Sequence, residues 1–350
     1  MTTTPGLYDT YELMTAIRQV ARPPDTFWLD LYPNTFQSQV ETIFFDQIEE
    51  LRRMAVFTAP GATARVSEIP GFGTNAFRPA YTKPKHEFNP EMAFHRLPGE
   101  GFGGTMSPQQ RADAIILDYM AQERNQIIRL WDWMAAQATM NGSVVISGED
   151  YPTRTVSFGR DSSLAVTLLT TERWSQTTGT PLDDIEEMRQ LCFAVGRTRI
   201  NKLIMGLAAW RYFISFTSVR DMLKTDMRAS NSTLNLATGG DGADRELRGF
   251  LGGPNGEGFV EIWTYNGGYD DADGTSHDIL DTNTVIGVGP ALNGYKCFGA
   301  IRHGRQLLAE SMFPRTWETT DDPVRVFTQT QSAPLMVPVQ PNASFKLKVH

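Results

Sequence analysis

The longest periodic run of apolar positions begins after Ser107. That serine suits an N-cap and Pro108 the first helical position. Ile116, Met120, Ile127, Leu130, Trp131, Met134 and Ala138 then return at helical spacing until Asn141-Gly142 stops the run. At 1.5 Å per residue, about 34 residues make a rod of roughly 50 Å, far longer than an average globular helix. The spacing predicts a spine.

Ahead of the spine the pattern alternates. From about residue 38 to 98, VETIFF, RMAVFTA and ARVSEI read as strands separated by APGA and PGFGTNAFRP, which predicts a long β ribbon. Such a ribbon is marginal alone and finds stability on a partner. Pro84 and Pro90 flank KHEF, and each removes a backbone donor, so this segment suits an edge strand. At the beginning, Thr10 caps a short helix carrying Leu13, Met14, Ile17 and Val20, and Arg22-Pro23-Pro24 ends it. The aromatic run TFWLDLYP that follows, with Trp28 and Tyr32, reads as extended and has little to pack against locally. It is expected to lie on another surface.

After the spine, SVVISGEDYPTRTVSFG predicts a hairpin, and from about Thr180 the pattern switches to α/β. Pro181 opens a helix through DDIEEMRQLCFAVG, INKLIMG is a short buried strand, and AAWRYFISFTSVRDMLKTD is a second helix with Trp210, Phe213, Ile214 and Val219. FVEIWTY and TVIGVG are strands separated by an acidic loop. FTQTQSAPLMVPVQP and SFKLKVH are further strands, which their prolines confine to sheet edges. No internal repeat at solenoid period is present.

Composition adds limits. The 350 residues are 41% hydrophobic and 21% charged, ordinary values for a chain with a packed core. No stretch approaches the roughly 20 apolar residues of a membrane-spanning helix, and MTTTPGLYDTYE lacks the order of a signal peptide, so a cytosolic origin is expected. Cys192 and Cys297 form no close pair and read as buried free thiols. The net charge of -8 argues against binding a phosphate backbone by bulk charge. Its distribution is uneven: residues 1–50 hold two basic and eight acidic side chains, whereas residues 51–100 hold seven basic and four acidic. YTKPKHEFNPEMAFHRLP lies in this basic block.

His86, Glu87 and His95 in that segment are the raw material of a zinc hydrolase, in which imidazoles hold the metal and a carboxylate moves the proton. As an HExxH motif they fail: position 90 is proline, and Pro84 and Pro90 forbid the helix that would align two imidazoles. Polar and ionic contact across an interface fits Lys83, Lys85, His86, Glu87 and Arg96 better. The glycine run GEGFGG at 99–104 lacks the strand and βαβ unit of a dinucleotide loop and reads as a hinge. Tyr269 to Gly274 echoes a calcium loop, but its twelfth position is Leu280 instead of an oxygen ligand. No nucleophile elbow or Walker lysine motif is present. These residues imply no catalytic site, cofactor or metal.

YTKPKHEFNPEMAFHRLP, RASNSTL and PRTWETTDDPVRVFTQTQSAPLMV resemble the lambda-type major capsid protein (major capsid protein E) family of tailed bacteriophages, over nearly the whole chain and in order. The resemblance implies an α+β, HK97-like viral capsid fold. Its parts would be an N-terminal arm at 1–45, an extended β-hairpin loop at 46–104, a peripheral domain with the spine helix at 105–179, an axial α/β domain at 180–319, and a return to the peripheral domain at 320–350. It implies a non-enzymatic subunit forming hexamers and pentamers of an icosahedral head, which encloses double-stranded DNA without sequence-specific binding. The expected setting is the virion, with assembly in the host cytoplasm and no membrane. The chain has no room for a fused scaffold ahead of the arm, which implies a separate scaffolding protein, besides a portal and a possible decoration protein. Lys83, Lys85, His86, Glu87, Arg96, Trp28 and Tyr32 are the expected contacts between subunits. Two rival readings are a cytosolic metal-dependent hydrolase using His86, Glu87 and His95, and a phage-derived compartment or gene-transfer particle built from the same subunit.

Overall fold

The computed structural model describes residues 26–48, 57, 63, 72–95, 106–148, 151–220, 244–251, 260–271, 273–319 and 325–350. The predicted helix at residues 10–20, the strand RMAVFTA apart from Phe57, the strand ARVSEI, the glycine hinge at 99–104 and Arg96 lie outside the described residues.

The first described segment is a turn and a 3-10 helix, Leu29–Leu31, so the run TFWLDLYP is coiled where an extended run was expected. Then come β1 (Asn34–Gln37) and the ribbon of β2 (Ile43–Ile48) with β3 (Phe72–Phe77). β4 (Lys85–Phe88) leads through a 3-10 helix, Pro90–Phe94, towards α1 (Pro108–Asn141). α1 is the predicted spine. Ser107 Oγ accepts from the Gln110 N–H at 3.2 Å and Gln110 Oε1 accepts from the Ser107 N–H at 2.9 Å, a capping box. Gly142 ends the helix at φ 64°, the left-handed conformation that glycine adopts without steric cost.

The predicted hairpin follows as β5 (Ser143–Gly148) and β6 (Tyr151–Ser157). Next are β7 (Ala165–Thr167), α2 (Pro181–Gly196), β8 (Lys202–Met205) and α3 (Leu207–Ser215). The predicted second helix is interrupted at Phe216, which leaves helical geometry at ψ 137°, and helix resumes at residues 217–220. Aromatic, serine and threonine side chains around it are weak helix formers. β9 (Arg245–Leu251) and β10 (Val260–Tyr265) precede β11 (Gly268–Asp270) and β12 (Ser276–Asp278). β11 and β12 pair, so the expected acidic loop is a short ribbon. β13 (Thr284–Val288), β14 (Tyr295–Phe298) and the ribbon of β15 (Ile301–His303) with β16 (Gln306–Leu308) come next. The last strands are β17 (Phe313–Glu318), β18 (Val326–Gln331), β19 (Pro334–Val337) and β20 (Ser344–Lys348).

The strands form a six-stranded sheet in the order β7-β20-β13-β8-β10-β9 and two three-stranded sheets, β1-β14-β19 and β17-β18-β4. Proline-bearing β19 lies at an edge as expected. β18 and β20 lie inside their sheets, correcting the prediction of edges, because Pro334, Pro338 and Pro341 fall outside both strands. β20 pairs with β7 on one side and β13 on the other, joining strands from both sides of residue 180 in one sheet.

The six-stranded sheet separates two cores. Ile204 and Ile286 face α1 and Trp28, while Leu203, Met205, Val285 and Phe345 face α2 and α3. A sheet covered on both faces explains why KLIM and TVIGV are apolar runs without alternation. A third, small core of Phe88, Ala93, Ile115 and Val326 lies beside the first turns of α1.

Candidate assembly face and the polar positions of the spine

β4 pairs antiparallel with β18, with His86 opposite Thr328 and Lys85 opposite Gln329. On its other side β18 pairs with β17, placing Thr316 opposite Thr328 and Trp317 opposite Phe327. Side chains alternate across a strand, so neighbours in KHEF are divided between the spine and the outside.

Towards the spine, His86 meets Glu123, a carboxylate with 0% side-chain exposure. Thr328 Oγ1 donates to Glu123 Oε1 and Thr330 Oγ1 to Oε2, both at 2.7 Å. His86 Nδ1 lies 3.2 Å from Oε1. A carboxylate beside two hydroxyl donors has acceptor sites left, so this imidazole nitrogen is the donor. Tyr119, one turn before Glu123, stacks on the imidazole at 5.1 Å with an interplanar angle of 20° and fixes the plane of the ring.

The outward face carries cations on aromatic rings. Lys85 Nζ lies 3.7 Å from the centre of the Phe327 ring and 5.2 Å from that of Trp317, and the two rings stack at 5.5 Å. Arg315 covers Trp317 from 4.5 Å and donates from Nε to Gln329 Oε1 at 2.8 Å. Burial lowers the pKa of Arg315, which leaves a guanidinium charged at neutral pH. Lys83 lies over Tyr81 at 5.1 Å. Among the described residues none of these three cations has a carboxylate partner. Glu87 on the same face pairs with Arg325 at 2.8 Å.

Two further polar positions hold other segments to α1. The Leu29 N–H donates to Asp132 Oδ1 at 2.8 Å, and Tyr32 Oη lies 3.1 Å from Thr139 Oγ1. The Thr139 carbonyl accepts from Ser344 Oγ at 2.9 Å and Arg160 Nη1 at 3.2 Å. Trp28 and Tyr32, expected between subunits, both have 0% exposure within this subunit. Trp28 packs edge-on against Phe27 and Tyr265, and Tyr32 seats against Gly294, where any Cβ would collide with its ring. Burial pushes the Tyr32 hydroxyl pKa above its ordinary value, an effect the Thr139 contact partly offsets. The aromatic segment is core because α1 and the loop at Gly294 supply, from far along the chain, the surface it lacks locally.

The root of the β2-β3 ribbon is ionic. Glu41 pairs with Arg78 Nη2 at 2.7 Å and binds Arg302 through two guanidinium nitrogens, tying both ribbon ends to β15-β16. Phe44 on the ribbon is 60% exposed.

The hydrolase arrangement is overturned. His86 turns to Glu123, Glu87 turns the opposite way to Arg325, and His95 is exposed beyond the 3-10 helix. Among the described residues no three His, Cys, Asp or Glu side chains group to hold a metal. His86 itself is held within the subunit through Nδ1, while its side chain stays 25% exposed. Cys192 and Cys297 are buried and free, as expected, and burial pushes each thiol up to about 12.

The family model described as phage major capsid protein E matches residues 9–349. The major capsid protein of Escherichia phage lambda is 30% identical over 344 residues, covering 96% of this chain and 97% of that protein. The major capsid protein of Enterobacteria phage P21 is 30% identical over 341 residues with the same coverage. Among solved structures, a prophage capsid protein from E. coli CFT073 superposes with a TM-score of 0.73 at 21% identity, covering 98% of this chain and 99% of that one. A phage-related protein of Bordetella bronchiseptica RB50 superposes with a TM-score of 0.53 at 14% identity, covering 99% and 98%. At these identities the two structures show the fold alone.

Proposed function

The chain belongs to the phage major capsid protein E family, and from that premise we infer that its copies close as hexamers and pentamers into an icosahedral head around double-stranded DNA. The protein is a structural, non-enzymatic subunit of a phage capsid shell with the HK97-like fold. The observation that carries this reading is the match over residues 9–349, which spans ribbon, spine and six-stranded sheet alike. The exposed Phe44 supports it, since a ribbon with an outward aromatic side chain suits burial on a neighbour.

A scaffolding protein and a portal are the further partners of the shell in this reading. Assembly takes place in the host cytoplasm. The acidic chain, at -8, releases packaged DNA instead of adhering to it. Electron microscopy of the full-length protein, expressed with its scaffold, should show closed icosahedral particles. A uniform small oligomer would reject the reading.

The contact surface is assigned to Lys83, Lys85, His86, Glu87 and Arg96, with the fully buried Trp28 and Tyr32 removed from it. Its partner is an acidic surface of the next subunit, for which the acidic block 1–50 is one candidate. Reversing charge at Lys83 and Lys85 should block particle formation while the subunit still folds. Normal particles from that double variant across a range of salt would sink the assignment.

A further inference from the structure

Glu123 belongs to the helix, yet its three hydrogen bonds come from two other segments: β4, at the end of the extended loop, and β18, near the end of the chain. We propose that Glu123 is a coupling joint, which makes the seating of β4 and the seating of β18 on the spine conditional on each other. This proposal rests on the shell reading, because a loop held by a neighbour is what would load the joint.

The two strands share the acceptors of one carboxylate. His86 and Thr328 are opposite each other across the strands and converge on the same oxygen, Oε1, while Thr330 takes Oε2. Among the described residues no lysine or arginine pairs with Glu123, so the imidazole is the one basic group in contact with it. If β4 lifts, Glu123 loses that donor and the cover of an edge strand, and the burden falls on the two hydroxyls of β18. If β18 lifts, Glu123 loses two donors and β4 loses its ladder partner at the same time. Tyr119 holds the imidazole plane from the helix side, so neither strand can shift without altering contacts on α1. Residue 86 can therefore report to residue 330 through residue 123, and displacement of the loop is passed to the β17-β18 sheet.

Hydrogen exchange by mass spectrometry on the full-length, unassembled subunit tests this, reading peptides over 85–88 and 326–331. His86→Phe, which keeps a ring on Tyr119 and removes the donor, should raise exchange in both peptides about tenfold or more. Thr330→Val should do the same, and Thr330→Ser should return both to wild-type rates. The double variant should show less than the product of the single effects. Should Thr330→Val fail to fold, the shape-conserving Glu123→Gln must accelerate both peptides together. Glu87→Gln is the control, since it breaks the pair of β4 with Arg325, outside the 326–331 peptide, without touching Glu123, and it should leave 326–331 within about twofold of wild type. The proposal is overturned if each substitution accelerates only its own strand, if the single effects multiply, or if Glu87→Gln reproduces the effect across the sheet. Particle formation by wild-type protein reports separately on the shell reading.

Discussion

The two faces of the sheet β17-β18-β4 hold charge in opposite ways. Against the spine, a fully buried carboxylate is met by two hydroxyls and one imidazole. On the other side, an ammonium and a guanidinium rest on phenyl and indole rings, with no carboxylate partner among the described residues. A buried charge tolerates only the arrangement that matches it, whereas a cation lying over a ring remains able to accept a second partner. The period of two along β4 thus divides adjacent residues between two faces: His86 turns to the buried carboxylate, and Lys85 and Glu87 turn outward.

The contrast can be broken from the inside first. Glu123→Ala should cost about 3–5 kcal/mol of subunit stability in denaturant unfolding, because it leaves buried donors without their acceptor. A loss below about 1 kcal/mol would mean that the inner face is not held as described. Trp28→Ala should cost a similar 3–5 kcal/mol. Had Trp28 lain between subunits, the same substitution would reduce assembly and leave the unfolding midpoint unchanged. Tyr32→Phe, which removes one buried hydroxyl contact, should cost about 1 kcal/mol by the same measurement.

Buried neutral groups sharpen the comparison in alkali. Burial pushes the Cys297 thiol up to about 12 from an ordinary 9.0. Above pH 9 the folded protein keeps a proton that the unfolded chain releases, so stability falls as pH rises. Between pH 9 and 10 the wild type should lose about 1 kcal/mol more than Cys297→Ala, and parallel stability curves would contradict this. The smallest effect belongs to the outer face: Lys85→Met should change unfolding by about 0.5–1 kcal/mol. A larger loss there would make the outer face part of the folding core.

Much of this was legible in the sequence because local rules decide it. Ser107, Pro108 and Gly142 fix the ends of α1, and the prolines beside KHEF place β4 at a sheet edge. Trp28 and Tyr32 were misread because their partners, Tyr265 and Gly294, are far along the chain and carry no local signal. Glu123 did leave a signal that went unused: it stands three residues after Met120 and four before Ile127, a carboxylate on the apolar stripe. Thr328 and Thr330, alternating in FTQTQ, are the matching half of that signal. The outer ladder of Lys85, Phe327, Trp317 and Arg315 depends on strand register, which three separated segments do not reveal in advance.

β20 has a consequence for the order of folding. It lies between β7 and β13, pairing Lys346 with both Ala165 and Ile286. From Ala165 to Lys348 the chain runs 183 residues (348 minus 165), so the six-stranded sheet stays in two pieces until that stretch has been synthesised. At about 5–20 residues per second, translation alone takes on the order of ten seconds or more. Throughout that interval the edge of β7 that β20 covers is unpaired; once β13 has been made its edge is unpaired too, and apolar side chains such as Val285 lack their cover until β20 follows. Contacts so distant in sequence form slowly, and an incomplete chain offers strand edges to any other incomplete chain nearby. The sheet therefore discriminates against unfinished subunits: without β20 there is no continuous six-stranded surface on which the two cores can close.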